Sequence, residues 1–116
     1  MKRSLCCFLF LYNICFAQVT LNQGLQAYYP FNGNTNDISG NNNNPVYNNA
    51  SLTADRAGNA NSAYHFNRID NYIRIPNNSS LNFSNKISLA VWIKPTGFYY
   101  DICHANSILS KGTASY

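Results

Sequence analysis

The chain has 116 residues and is rich in aromatic residues (15%) but poor in charged ones (10%), with a formal net charge of +4. So high a share of aromatic residues excludes an intrinsically disordered chain. Lys2 and Arg3 are two of the eight basic residues, so the rest of the chain carries six against four acidic residues, or +2. Those six are scattered singly, which excludes the basic patch that a nucleic-acid partner requires.

Residues 1–17 have the pattern of a secretory signal peptide. Lys2 and Arg3 form a positive start, Leu5–Phe16 is an apolar run, and Ala17 is a small residue suited to cleavage. The run is shorter than the stretch of about 20 apolar residues that spans a bilayer, although an uncleaved anchor is the alternative. We therefore predict a secreted or cell-surface protein without a membrane span after cleavage, comprising residues 18–116.

Cleavage after Ala17 would leave one cysteine, Cys103. The other three cysteines belong to the signal peptide: Cys6, Cys7 and Cys15. A single cysteine in a secreted protein indicates either a disulfide partner elsewhere or a free thiol.

The mature chain reads as short strands separated by turns. Leu25–Phe31 is the first predicted strand, with Pro30 placing it at an edge or a strand end. Asn32–Asn44 is rich in asparagine and glycine, which favour turns and tolerate positive φ. After it we predict a strand near Pro45–Val46. We then predict a loop over Thr53–Asn61, a short strand over Ser62–Phe66 and a tight turn over Asn67–Asn71.

The strand predicted over Asn71–Ile75 alternates between apolar and polar residues. Ile73 and Ile75 are expected to face inward, and Tyr72 and Arg74 to face water. Pro76 closes this strand.

The strongest period-two pattern runs from Ile87 to Lys94 and stops at Pro95. One face carries Ile87, Leu89, Val91 and Ile93, and the other carries Ser88, Ala90, Trp92 and Lys94. Short strands with Asn-, Gly- and Ser-rich loops predict an all-β fold, an antiparallel β-sandwich or jelly roll.

Four segments in order resemble one known family. They are "GLQAYYPFNGNTNDISGNNNN", "DRAGNANSAYHF", "NYIRIPNNSSLNFSNKISLAVWIKP" and "ILSKG", and they cover Gly24 to about Gly112. This series resembles the laminin-G-like jelly roll of the concanavalin A-like lectin/glucanase superfamily, as found in secreted bacterial proteins. The resemblance implies two packed antiparallel sheets and extracellular binding of a glycan or another cell-surface ligand.

The chain departs from that family in one turn. The family's "FDGxDDY" turn corresponds to Phe66–Tyr72, where Asn67 and Asn71 replace carboxylates and Arg68 replaces the glycine. Only Asp70 keeps its charge.

The mature chain of 99 residues (116 minus 17) is also shorter than a whole domain of that family. We therefore expect residues 18–116 to be the N-terminal part of an incomplete jelly roll. The resemblance implies a disulfide from Cys103 to a partner outside this segment. An incomplete sandwich is expected to expose a hydrophobic face and unpaired strand edges.

The chain carries no sign of glycosidase chemistry. Glycoside hydrolysis uses a pair of carboxylates, about 5–5.5 Å apart in retaining enzymes. The chain has no glutamate, and its aspartates lie in separate loops: Asp37, Asp55, Asp70 and Asp101. We expect a non-catalytic binding module. The alternatives are the N-terminal part of a glycan-degrading enzyme whose catalytic residues lie beyond Tyr116, and a structural spacer.

Calcium is the cofactor that the loops suggest. Calcium binds oxygen atoms of Asp, Asn and backbone carbonyls. The residues expected to supply them are Asn34, Asn36 and Asp37 in one loop and Asp70 in another. A structural calcium is also common in the family that the chain resembles. The alternative is that these residues only build turns.

Tyr99 and Tyr100 are the candidate ligand-binding residues, since their rings lie in a predicted loop before Cys103 and could stack on a sugar. Trp92 has the right chemistry as well, but on a central strand it is expected to pack between the sheets.

Overall fold

The computed structural model describes residue 20, residues 22–98 and residues 107–112. The predicted signal peptide, Tyr99, Tyr100 and Cys103 lie outside these residues. The chain divides after Phe83 into two units, and every strand of the described residues belongs to the first.

The regular structure is sparse and antiparallel. The strands are β1 (Tyr47–Asn48), β2 (Ser51–Thr53), β3 (Ala63–His65) and β4 (Ile73–Arg74), and a 3₁₀ helix covers Ser79–Leu81. Strand β1 pairs with β4 and β2 pairs with β3, which makes two separate two-stranded sheets. The described residues contain no α-helix.

The β2–β3 pair is a hairpin closed by the loop around Asp55. One carboxylate oxygen of Asp55 accepts hydrogen bonds from the backbone N–H groups of Ala57 and Asn59, at 2.8 and 2.9 Å. The Asn59 amide donates to the other oxygen at 2.9 Å. The first of these bonds forms an Asx turn, the behaviour expected of aspartate in a tight loop. The predicted loop over Thr53–Asn61 is thus confirmed in all but its first residue, which ends β2.

Strand β4 confirms the alternation predicted for Asn71–Ile75. Ile73 and Ile75 are half-buried, whereas Tyr72 and Arg74 are exposed. Strand β3 confirms the strand predicted over Ser62–Phe66, and β1 begins one residue after the predicted Pro45–Val46.

Two predicted strands do not form. Over Leu25–Phe31, the backbone N–H of Tyr28 bonds the Asp37 carboxylate instead of a neighbouring strand, and Phe31 adopts a positive φ of 58°. Residues 87–94 do not form a strand, and none of the described strands pairs with them. The prediction of strands at these two places is wrong, since period-two patterning alone does not supply a hydrogen-bonding partner.

The first unit is held together mainly by polar contacts and aromatic edges. No hydrophobic residue is buried among the described residues, whereas Asp37 and Asn43 are. The half-buried ring of Phe31 meets Tyr64 of β3 edge-on, with ring centroids 5.2 Å apart. This contact packs residues 25–31 against the β2–β3 hairpin.

Candidate functional site

Asp37 organises the asparagine-rich loop through four hydrogen bonds to its carboxylate. One oxygen accepts from the backbone N–H groups of Tyr28 and Ser39, each at 2.9 Å. The other accepts from the Asn43 backbone N–H at 2.8 Å and from the Ser39 hydroxyl at 2.9 Å. Burial raises the pKa of Asp37, but these hydrogen bonds outweigh it and hold the pKa below its ordinary value.

Asn43 is the second centre of this loop, with no solvent exposure. Its side-chain amide donates to the carbonyl oxygen of Gln26 at 2.8 Å and to the Ser80 hydroxyl at 3.0 Å. The Tyr29 hydroxyl donates to the Asn43 carbonyl at 2.6 Å. Burial, with the nearby Asp37 charge, raises the pKa of Tyr29 to about 12. Asn43 therefore joins two distant parts of the first unit, the segment that holds Gln26 and Tyr29 and the 3₁₀ helix that holds Ser80.

The second predicted calcium loop is closed in a similar way by Asn67. Its side-chain oxygen accepts from the backbone N–H groups of Ile69, Asp70 and Asn71, at 2.9 to 3.2 Å. Its side-chain amide donates to the Asp70 carboxylate at 2.7 Å. Asp70 is thus engaged within its own turn.

Several of the oxygen atoms predicted to bind calcium already accept hydrogen bonds within their loops. Calcium needs about six to eight oxygen ligands. Both Asp37 oxygens already accept two hydrogen bonds each, and the Asn34 side-chain oxygen accepts from the Asn36 backbone N–H at 2.8 Å. The described residues contain no group of three or more His, Cys, Asp or Glu side chains that could hold a metal ion.

Calcium binding at Asn34, Asn36, Asp37 and Asp70 stays a prediction, because nothing in the structure tests it directly. A ligand that binds only the folded state raises the thermal midpoint. Thermal unfolding in millimolar calcium and in chelator is the measurement. A higher midpoint with calcium would support the prediction, and equal midpoints would contradict it.

The outward face of the β1–β4 sheet carries an aromatic pair with a cation, here called the Tyr–Arg face (Tyr47, Tyr72 and Arg74). Tyr47 and Tyr72 are stacked, with ring centroids 4.7 Å apart and planes 27° from parallel. The Arg74 guanidinium carbon lies 5.8 Å from the centre of the Tyr47 ring. Tyr47 is 39% exposed and Tyr72 is 47% exposed. Aromatic surface therefore meets solvent beside a positive charge.

Strand register explains why these three side chains meet. Tyr47 is the direct cross-strand partner of Arg74, and Tyr72 precedes Arg74 by two residues. Side chains two apart on a strand share a face, as do direct cross-strand partners. The half-buried Asn48 and Ile73 occupy the opposite face.

Hydrogen bonds beyond the two strands keep the Tyr–Arg face in place. The Val46 backbone N–H donates to the Arg74 carbonyl at 2.9 Å. The Tyr72 backbone N–H donates to the Asn49 side-chain oxygen at 2.9 Å, and the Asn49 amide donates to the Asp70 carbonyl at 3.1 Å. These hydrogen bonds therefore hold the Tyr–Arg face at both ends of a very short sheet.

The sequence predicts only part of this face. The alternation of residues 71–75 predicts that Tyr72 and Arg74 face water, whereas no local pattern points to Tyr47. Its pairing with Arg74 spans the whole β2–β3 hairpin, so only the fold brings the two residues together. Tyr99, Tyr100 and Cys103, the other predicted site residues, lie outside the described residues.

No family model matches the chain, and no curated protein or solved structure matches it significantly. Within the described residues, no helix has the length and apolar character needed to cross a membrane.

Proposed function

We propose that this chain belongs to a secreted, non-catalytic binding module of the laminin-G-like jelly-roll type, and that its ligand is a carbohydrate. The motif series from Gly24 to Gly112 supports the fold type. The antiparallel pairing of all four described strands is compatible with a jelly roll.

The observation that carries the binding function is the Tyr–Arg face. A tyrosine ring presents a broad apolar face with negative character, which attracts the polarised C–H groups of a sugar ring. Tyr72 is the main stacking surface, because it is the more exposed ring and Arg74 already lies over Tyr47. Sites for small ligands typically combine an aromatic surface with a small number of polar groups.

The non-catalytic part of the proposal rests on the carboxylates. The chain has no glutamate. The described aspartates, Asp37, Asp55 and Asp70, each accept hydrogen bonds within their own turns. A glycosidase needs two carboxylates facing one glycosidic bond, and these three serve turn formation instead.

Affinity electrophoresis of the purified protein against a panel of soluble polysaccharides tests this function. We expect binding to weaken by about tenfold, or about 1.4 kcal/mol, on Tyr72→Ala. Tyr28→Ala is the matched control, because Tyr28 is a similarly exposed tyrosine outside the Tyr–Arg face. Tyr99→Ala and Tyr100→Ala test the second predicted ligand surface in the same assay.

The outcomes separate the candidate functions. Loss of binding on Tyr72→Ala but not on Tyr28→Ala would support the Tyr–Arg face, and loss on Tyr99→Ala or Tyr100→Ala would move the site to that loop. Release of reducing sugar from any polysaccharide would contradict a non-catalytic module. No binding to the whole panel would leave the spacer function.

A further inference from the structure

Resting on the proposed function, we propose that the ligand of the Tyr–Arg face is an acidic glycan whose uronate carboxylate is bound by Arg74. The sugar ring stacks beside Tyr72 while the guanidinium holds the carboxylate. This assigns Arg74 as the residue that selects acidic over neutral sugars.

The position of Arg74 leaves it suited to such a role. Its guanidinium carbon lies 5.8 Å from the centre of the Tyr47 ring, which is within the range of a cation–π contact. The N–H donors of a guanidinium form a planar fork that matches a carboxylate. A contact with an aromatic ring does not use a hydrogen-bond acceptor, so it places the positive charge beside the two tyrosines while leaving the fork to a ligand.

No carboxylate among the described residues neutralises Arg74. Asp70, only four residues away in sequence, accepts a hydrogen bond from Asn67 at 2.7 Å. Asp37 and Asp55 are engaged in their own loops. The positive charge of the Tyr–Arg face is therefore available to an external anion.

A uronate complements this face better than a neutral sugar does. A bidentate bond from arginine to carboxylate is charge-assisted, and so stronger than bonds to neutral hydroxyl groups. Arg74 is also exposed, so the attraction is expected to weaken as salt screens it.

The test compares two forms of one polymer, polygalacturonate and its methyl ester, by isothermal titration calorimetry with the wild-type protein. The two differ only at the carboxyl group, where the ester replaces the negative charge by a neutral methyl ester, and this first comparison requires no variant to fold. We expect the ester to bind at least about tenfold more weakly, because it offers no charge-assisted bidentate bond. Arg74→Gln should remove this preference, and Arg74→Lys should keep part of it.

Each result decides one point. Preference for polygalacturonate that disappears in Arg74→Gln supports the inference. Equal binding of both forms overturns it while leaving carbohydrate binding intact. Dextran sulfate binding as tightly as polygalacturonate would also overturn it, because general polyanion attraction would then suffice. No binding to either form or to any neutral polysaccharide would overturn the proposed function itself.

Discussion

At the scale of single residues, Asp37 links the stability of the first unit to pH. Its carboxylate accepts four hydrogen bonds, and its folded pKa lies below the ordinary value of 3.8. A group with a lowered folded pKa contributes stability above its unfolded pKa, and that stability is lost as pH falls through the folded pKa. The contribution of Asp37 is therefore expected to be complete at neutral pH, to begin to fall near the ordinary pKa of 3.8, and to be lost as the pH passes through the lower folded pKa.

Asp37→Asn tests this link. Asparagine would place an amide where a carboxylate oxygen now accepts from Asn43 and Ser39, so we expect a loss of about 3 kcal/mol at neutral pH. Urea unfolding from neutral to acidic pH is the measurement, and the variant should show a shallower acid decline. Asp55→Asn is the comparison, since the Asn59 amide and neighbouring donors also lower the pKa of Asp55, but at an exposed position. An unchanged acid decline in Asp37→Asn would contradict the assignment.

The four consecutive asparagines, Asn41–Asn44, have different roles despite their identical chemistry. Asn43 is fully buried, Asn42 has a positive φ of 57°, and Asn44 accepts from the Asp37 backbone N–H at 2.9 Å. The asparagines of this tract therefore act as individual structural residues. A low-complexity interpretation does not account for these contacts.

Asn43→Ala should be the costliest alanine substitution in this tract. It would leave the Ser80 hydroxyl without its partner and would remove the shortest of the three hydrogen bonds to the Gln26 carbonyl, which also accepts from Ser39 and Asn41, at a cost of about 2 kcal/mol. Asn42→Gly is the matched control, because glycine adopts positive φ without strain and should leave stability unchanged or slightly higher. Chemical denaturation measures both, and equal effects of the two substitutions would contradict the distinct roles.

At the scale of elements, the turn after β3 contains a residue poorly suited to its backbone. Arg68 has a φ of 65°, a left-handed backbone conformation that favours glycine. A left-handed conformation costs a non-glycine residue about 1–2 kcal/mol. The Asn67 side chain compensates by accepting three backbone N–H groups.

Substitution of Arg68 isolates the backbone cost. We expect Arg68→Val to be about 1 kcal/mol or more less stable than Arg68→Gly, since β-branched residues resist positive φ. Both variants remove the guanidinium, so their difference reports the backbone alone. The measurement is the free energy of unfolding of both variants in urea. A valine variant as stable as the glycine variant would contradict a backbone cost at this position.

The elements also show how far local sequence determines this fold. Turns were predictable because Asn67 and Asp55 form bonds within a few residues of themselves. Strand β4 was predictable because one face of Asn71–Ile75 is partly covered. The strand predicted over Ile87–Lys94 does not form, because a strand depends on a distant partner that its own residues do not specify. The Tyr–Arg face shares this limit, since the Tyr47–Arg74 pairing is non-local.

At the scale of the whole molecule, polar contacts are well satisfied while apolar burial is scarce. Among the described residues that are buried or half-buried, every buried side-chain nitrogen and oxygen atom has a hydrogen-bond partner. In contrast, residues 87–93 expose most of their apolar surface, with Leu89 61% and Trp92 82% exposed. Exposed apolar patches are typical interaction or aggregation surfaces.

We therefore expect the purified chain to self-associate as its concentration rises, through the exposed apolar side chains of residues 87–93. Leu89→Lys replaces one of these apolar side chains by a charge and should shift the association to higher concentration. Ser88→Lys adds the same charge next to it without removing an apolar side chain and should shift it less. Sedimentation velocity over a concentration series measures the association. Equal shifts would mean that added charge alone suppresses it, and a wild-type chain that stays monomeric throughout would show that this apolar surface does not drive association.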